Sequence, residues 1–139
     1  MLECLIIGDS IAQGIANVRT ECLEYANIGW TSKQTVQVYG NRNLEADTVI
    51  ISLGTNDTKY VNTQKELSRL RSKIRAKRVV WIIPAAVNPK SGVPINVINT
   101  VVYSIAAAYG DMTLELPKPL ADRYHPTSRG YRKLAKETK

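Results

Sequence analysis

The chain of 139 residues contains only two cysteines and one histidine, too few for a cysteine-based metal cluster or a disulfide-rich scaffold. Cys4 and Cys22 both lie in apolar surroundings, where a free cysteine behaves as a small hydrophobic residue. We therefore expect them to have a structural role as core residues. Whether the two side chains pair is left open by the sequence.

Long apolar runs are also missing. No stretch approaches the roughly 20 apolar residues that a membrane-spanning helix needs. The first residues, 1–7, have neither the basic region nor the long apolar region of a signal peptide. We therefore expect a cytoplasmic product without a membrane span, although export without a signal, or release by cell lysis, remains compatible with the sequence.

Low-complexity tracts and internal repeats are absent, and the hydrophobic and charged fractions, 44% and 22%, are ordinary for a folded protein. The length suits one domain over residues 1–139, because domains commonly contain about 100–150 residues. The oligomeric state is not indicated.

Acidic residues are scarce relative to basic ones, 12 against 19, which gives a net charge of +7. Such a charge could attract an acidic polymer, anionic lipid or nucleic acid. Many of the cations fall in residues 62–77, where Leu67, Leu70 and Ile74 form an apolar helical stripe. We interpret this segment as one helix with a solvated basic face.

Short apolar runs alternate with segments of helical periodicity along the whole chain. The predicted strands are 5–7, 22–26, 48–53, 79–83 and 112–116, and helical spacing follows each of them. This alternation requires a largely parallel sheet with helices on both faces. We therefore predict an α/β fold, a three-layer α/β/α sandwich with five parallel strands in the flavodoxin-like order, and a site at the carboxyl edge of the sheet.

Ser10 follows the first strand and begins a helix, so its hydroxyl can project from the sheet edge. A serine nucleophile needs a base, and His125 is the lone histidine. Asp122 precedes His125 by three residues in a proline-bounded loop, a spacing that can let its carboxylate hold one imidazole nitrogen. Taken alone, each of these residues has a structural explanation; together they make a coherent catalytic triad.

Acyl transfer also requires donors for the developing oxyanion. The candidates are the backbone N–H groups of Ser10 and Gly29 and the side-chain amide of Asn56, which follow the first three predicted strands. Gly29 could equally be a turn residue, and Asn56 could be part of a helix cap. Their joint placement favours an oxyanion hole.

At this point the sequence resembles the SGNH (GDSL-like) hydrolase superfamily, whose four short sequence blocks have counterparts here in order. These are Gly8-Asp9-Ser10 with Gly14, then Gly29, then Gly54-Thr55-Asn56-Asp57, then Asp122-Arg123-Tyr124-His125-Pro126. The resemblance implies that Ser10 is the nucleophile, that His125 is the base and that Asp122 orients it. It also implies an oxyanion hole of Ser10, Gly29 and Asn56, with Asp9 and Asp57 in supporting hydrogen bonds.

This resemblance implies a carboxylic ester hydrolase that needs neither a metal nor a cofactor. The connections between blocks are short and no lid insertion is evident, so we expect an open groove rather than a deep acyl-chain pocket. The favoured substrate is a small acyl group, such as acetyl, on a carbohydrate or cell-wall polymer. Groove-lining candidates are Trp30, Lys59, Tyr60 and Asn88.

The sequence leaves alternatives open at this level. Within enzymes, the chain could be a broad short-chain esterase or lipase, or a thioesterase. Outside enzymes, it could be a binding module on a hydrolase scaffold. Nucleic-acid binding has no recognisable motif, because aromatic and basic residues are not interleaved.

Overall fold

The computed structural model describes residues 1–139, and five parallel strands form one sheet in the order β2-β1-β3-β4-β5. Helices follow every strand. In chain order the elements are β1 (Leu2–Gly8), α1 (Ser10–Val18), β2 (Leu23–Ala26), α2 (Ser32–Tyr39), β3 (Glu45–Ser52), α3 (Thr63–Ser72), β4 (Arg75–Ile83), α4 (Ile95–Tyr109), β5 (Met112–Glu115) and α5 (Ser128–Glu137). The predicted α/β fold and strand order are confirmed.

Two apolar layers cover the sheet, because successive strand side chains point to opposite faces. On β1, Leu5 and Ile7 pack with α2, α3 and α4, whereas Cys4 and Ile6 pack with α1 and α5. The carboxyl halves of β1, β3 and β4 are buried on both faces, which explains why they are apolar runs rather than alternating patterns. The sheet therefore lies between two layers of helices.

The predicted helix over 62–77 is wrong at its C-terminal end, because α3 stops earlier and β4 starts at Arg75. The parallel ladder pairs Arg75 with Glu45 and Arg78 with Thr48, extending β4 beyond its apolar portion. Arginine, alanine and lysine are good helix formers, but pairing with β3 outweighs this local preference. Part of the predicted basic helix face is therefore a strand.

Cys4 and Cys22 form a disulfide, with their Cα atoms 4.7 Å apart, which answers the question of pairing that the sequence left open; both residues are buried, as expected. The reason lies in the β1–β2 register, which pairs Leu5 with Leu23 and brings the preceding residues together. Disulfides are typical of oxidising compartments, so this pair is an observation against the expected cytoplasmic location.

No helix in the structure is both long enough and apolar enough to cross a bilayer. The carboxyl ends of the strands meet along one edge of the sheet, where the β1–α1, β2–α2 and β3–α3 connections lie side by side. The polar clusters identified in the sequence all lie in these connections or in the segment before α5.

Candidate active site

The β1–α1 connection is very short, and it brings Ser10 directly to the carboxyl edge of the sheet. Gly8 is the last residue of β1, and a Cβ atom there would overlap the carbonyl oxygen of Ser52 on β3. Its φ of +149° also lies in a region that L side chains rarely adopt. Asp9 caps α1 by accepting a hydrogen bond from the Ile11 N–H at 3.0 Å. Ser10 is therefore the first helical residue and is half-buried.

The structure brings Ser10, His125 and Asp122 together in one hydrogen-bonded chain. The Ser10 Oγ lies 2.8 Å from the His125 Nε2, and the His125 Nδ1 lies 2.8 Å from the Asp122 Oδ2. An ionised carboxylate only accepts hydrogen bonds, so the Nδ1 carries the proton and the Nε2 is free to accept from the serine hydroxyl. This is the arrangement that a serine nucleophile and its base require.

Asp122 holds the histidine through backbone as well as side-chain contacts. Its Oδ1 accepts from the Tyr124 N–H at 2.9 Å and from the His125 N–H at 2.7 Å. Hydrogen bonds to the carboxylate lower the pKa of Asp122 to about 2. The bond from the Tyr124 N–H contributes most, and the bond from the His125 side chain comes next. The carboxylate therefore stays ionised at any pH near neutrality.

The segment between β5 and α5 places His125 opposite Ser10. Leu120 and Pro126 form an antiparallel bridge, and the Ala121 N–H donates to the His125 carbonyl at 2.9 Å. Thr127 then caps α5 by accepting from the Gly130 N–H. The histidine is thus held between a small β-bridge and a helix N-terminus.

Asp9 lies beneath the Ser10 turn and is only 1% exposed. Its Oδ1 accepts from the Ile11 N–H and from the Ser52 hydroxyl, while its Oδ2 has no hydrogen-bond partner. Burial raises the pKa of Asp9 to about 6, and the hydrogen bonds only partly offset this effect. The nearby Tyr131 hydroxyl has its pKa raised to about 12 by burial and by the negative charges of Asp9 and Asp122.

The three predicted oxyanion donors lie at the ends of the first three strands. The N–H groups of Ser10 and Gly29 donate to no acceptor within the protein. Gly29 has a φ of +78° and open space where a side chain would be, so its backbone is accessible. The Asn56 Nδ2 uses one hydrogen on the Trp30 carbonyl at 3.2 Å and retains the other.

Asp57 joins the segments that follow two of these donors, Gly29 and Asn56. Its fully buried carboxylate accepts from the Ser32 N–H at 2.7 Å and from the Thr63 hydroxyl at 2.8 Å, which joins the first residues of α2 and α3. The Ser91 hydroxyl donates to the Asp57 carbonyl. Sequence analysis missed Ser91, because it lies in a loop with no motif around it.

The four candidate groove residues lie in different settings. Trp30 is half-buried and packs at a tilt on Tyr39. Asn88 is also half-buried, and its N–H donates to the Thr55 carbonyl at 2.7 Å, beside the Asn56 turn. Lys59 and Tyr60 are exposed and contact each other, with the ammonium 5.3 Å from the ring centre. Trp30 and Asn88 therefore adjoin the oxyanion donors most directly.

Two clefts of about 460 Å³ border the segment that carries Asp122 and His125, and both are lined by Arg123. One lies at the ends of β4 and β5 and is half apolar, with Pro84 and Leu116 among its lining residues. The other lies along the loop after β4 and includes Asn88. Sequence analysis did not single out Arg123, because a lone arginine inside a motif gives no signal of its own.

No protein-family model matches the sequence, and neither does any curated protein. Solved structures do match. A GDSL-family lipolytic protein from Veillonella parvula is 17% identical, with a TM-score of 0.67 over 99% of this chain and 96% of that one. An acylhydrolase structure from Bacteroides fragilis is 19% identical, with a TM-score of 0.67 over 97% and 83%.

An acetyl xylan esterase structure is 14% identical, with a TM-score of 0.66 over 97% of this chain and 96% of that one. At these identities the likeness concerns the fold. The sheet order and the near-complete coverage of both chains agree with the resemblance found in the sequence motifs. The chain has the fold of the GDSL-family lipolytic proteins and acylhydrolases, that is, the SGNH hydrolase fold.

Proposed function

We propose that the protein is a carboxylic ester hydrolase in which Ser10 is the nucleophile, His125 is the base and Asp122 orients His125. The observation that carries this proposal is the pair of 2.8 Å contacts, from the Ser10 Oγ to the His125 Nε2 and from the His125 Nδ1 to Asp122. The fold similarity to lipolytic proteins and acylhydrolases supports the same reaction class.

The proposed reaction has two stages. The Ser10 Oγ attacks the ester carbonyl while the His125 Nε2 takes its proton, and the carbonyl oxygen becomes an oxyanion facing the donors of Ser10, Gly29 and Asn56. The protonated His125 then gives its proton to the leaving alcohol, and an acyl-enzyme remains. Water, activated by His125, hydrolyses this ester and regenerates Ser10. Residues of the chain and water supply every group in this cycle.

The favoured substrate is a small acyl ester, such as acetyl, on a carbohydrate or cell-wall polymer. Short connections and clefts on the surface leave room for a polymer rather than enclosing a long acyl chain. One of the fold neighbours is an acetyl xylan esterase. In this proposal Trp30 and Asn88 contact the sugar next to the ester, and Lys59 and Tyr60 lie farther out on the rim.

A second candidate, a broad short-chain esterase or lipase, is favoured by the cleft at the ends of β4 and β5. Half of its lining residues are hydrophobic, so it could accept an acyl chain longer than acetyl. The two candidates differ in the acyl length that they predict, not in the reacting residues.

The test is a panel of acetylated glycans together with chromogenic acetate, butyrate and octanoate esters. We expect measurable hydrolysis of acetate esters and the highest kcat/KM on an acetylated glycan. Preference for octanoate would contradict the deacetylase proposal and favour the lipase alternative. If no ester in the panel is hydrolysed, the hydrolase assignment itself is contradicted.

A further inference from the structure

A basic cleft lies between α2 and α3, away from the reacting residues. It has a volume of about 300 Å³, and its lining includes Lys33 from α2 and Lys65 and Arg69 from α3, with Lys73 at the end of α3. All four cations are exposed. The single carboxylate in the lining, Glu66, is buried and lies 3.7 Å from Arg69.

The fold makes little use of these four cations. The ammonium groups of Lys33 and Lys65 form no hydrogen bond or ion pair, and that of Lys73 reaches only the Asn41 side chain at 3.4 Å. By contrast, Arg71, on another side of the same helix, makes a two-point contact with a carboxylate at 2.7 and 3.0 Å. The cations of the cleft are thus available to an outside partner.

Their spacing is unfavourable for the helix itself. Lys65, Arg69 and Lys73 follow one another at intervals of four residues, so their side chains share one face of α3 and repel one another. Four residues rise by about 6 Å along a helix, and the row therefore extends over roughly 12 Å. A row of like charges at regular intervals, in which only Arg69 has a carboxylate partner, matches a linear partner with regularly spaced anions.

The cleft starts at the edge of the sheet that carries the candidate active site. Ser32 and Thr63, the first residues of α2 and α3, both donate hydrogen bonds to Asp57, the neighbour of Asn56. Lys33 and Lys65 lie in the first turns of these helices, at the near end of the cleft, and Lys73 lies at the far end. The row of cations therefore leads away from the oxyanion donors.

We propose that this cleft binds a carboxylated polysaccharide, whose acidic groups lie along the cations of α3. Lysine, arginine, asparagine and glutamine side chains in the lining can bind both carboxylates and sugar hydroxyls. No aromatic side chain lines the cleft, so nucleic-acid bases would find no stacking surface there. Binding of the polymer does not depend on the proposed function, whereas delivery of its ester groups to Ser10 rests on that function.

The test compares two double variants with the same net charge. Lys65→Glu with Lys73→Glu reverses two cations of the cleft, whereas Arg132→Glu with Lys136→Glu reverses two exposed cations of α5, on the other face of the sheet. Each pair lowers the net charge of +7 by four. The probe is unesterified oligogalacturonate, and the readout is calorimetric affinity at low salt.

We expect the cleft pair to weaken oligogalacturonate binding about tenfold or more, and the α5 pair about twofold or less, because exposed ion pairs act over short distances. Equal weakening by both pairs would mean that only overall charge matters and would overturn the proposal. Absence of binding to the wild-type chain, or tighter binding of single-stranded DNA of equal charge, would overturn it as well.

Two further measurements separate this site from the proposed chemistry. Circular dichroism verifies that the charge-reversed chain folds, and Lys65→Gln with Lys73→Gln serves as the milder variant, for which we expect a smaller loss of binding. Hydrolysis of a small acetate ester should be unchanged in the cleft pair. An inactive wild-type enzyme that still binds oligogalacturonate through these cations would contradict the proposed function and leave the cleft proposal standing.

Discussion

Asp122 contributes to the candidate site through both oxygens of its carboxylate. One oxygen contacts the His125 ring, and the other accepts the backbone N–H groups of Tyr124 and His125. The carboxylate therefore fixes the tautomer of the ring and the course of the backbone around it. Because its own pKa is lowered to about 2, the carboxylate is ionised for both tasks at any pH near neutrality.

We expect Asp122→Asn to lower kcat for an acetate ester less than His125→Ala does. In serine hydrolases, loss of the base costs about 10⁶ in kcat and loss of the carboxylate about 10⁴, because the base still accepts the proton when it is poorly oriented. Steady-state kinetics on the two variants measure the difference. Equal activity of Asp122→Asn and wild type would remove Asp122 from the mechanism.

Asp9 should make folding stability depend on pH in a direction that is unusual for a carboxyl. Its pKa is about 6 in the folded protein, against 3.8 for an ordinary aspartate. Between these values the folded chain holds a proton that the unfolded chain has lost. The contribution of Asp9 to the free energy of unfolding is therefore complete below about pH 4 and falls, by up to about 3 kcal/mol, as the pH rises through 6.

Urea unfolding of wild type and Asp9→Asn from pH 4 to pH 8 measures this contribution as a difference, so other titrating groups cancel. We expect wild type to lose stability relative to Asp9→Asn as the pH rises from about 4 to about 6. A difference that is independent of pH, or one that changes in the opposite direction, would show that the folded carboxyl is not protonated in this range.

Single residues of the site differ in how readily the sequence reveals them. Ser10 and Asn56 lie in short motifs at strand ends, and His125 lies in a short motif before α5; in each, position and residue type agree. Ser91 lies outside any such motif, and Arg123 gives no signal of its own within one, although Ser91 donates to the Asp57 carbonyl and Arg123 lines two clefts. Their placement depends on how loops from distant parts of the chain meet, which local spacing does not encode.

The ends of helices and strands are predicted well where a single feature of the sequence decides them. Gly110 follows apolar residues at helical spacing over 98–108, which predicts a helix that ends there, and the structure ends α4 at Gly110 with a left-handed cap. The boundary between α3 and β4 is predicted poorly, because residues 75–77 suit a helix while pairing with β3 makes them a strand. The spacing of residues along the chain indicates the preference for a helix but contains no information on pairing with β3.

The disulfide joins β1 to the start of β2, and its contribution can be predicted from the chain length that it closes. The two cysteines are 18 residues apart. Closing a loop of this length is expected to stabilise the fold by about 3 kcal/mol, chiefly by restricting the unfolded chain. We expect urea unfolding in the presence of a reductant, or of Cys4→Ser with Cys22→Ser, to show a loss of about this size.

Thiol titration in urea without a reductant provides the matching check. A disulfide-bonded chain has no free thiol, since Cys4 and Cys22 are its only cysteines. Two reactive thiols per chain, together with an unfolding curve that a reductant leaves unchanged, would contradict the bond.

At the scale of the whole molecule, the fold could be predicted from the sequence because every helix that follows a strand must meet the same packing requirement. Each helix must cover the sheet with its apolar stripe, so alternating strands and helices leave few arrangements other than a parallel sheet between two helical layers. What the alternation does not specify is the use of the surface. The same scaffold carries a candidate ester-hydrolysing site at one edge and a row of exposed cations between α2 and α3.

The central claim is that Ser10 is a nucleophile activated by His125, and covalent labelling with a serine-directed phosphonate tests it most directly. We expect one adduct per chain by intact mass, located by peptide mapping at Ser10, with no adduct on a folded Ser10→Ala chain and slow labelling of His125→Ala. Labelling of Ser10→Ala at the wild-type rate, or an adduct elsewhere in the wild-type chain, would contradict the account.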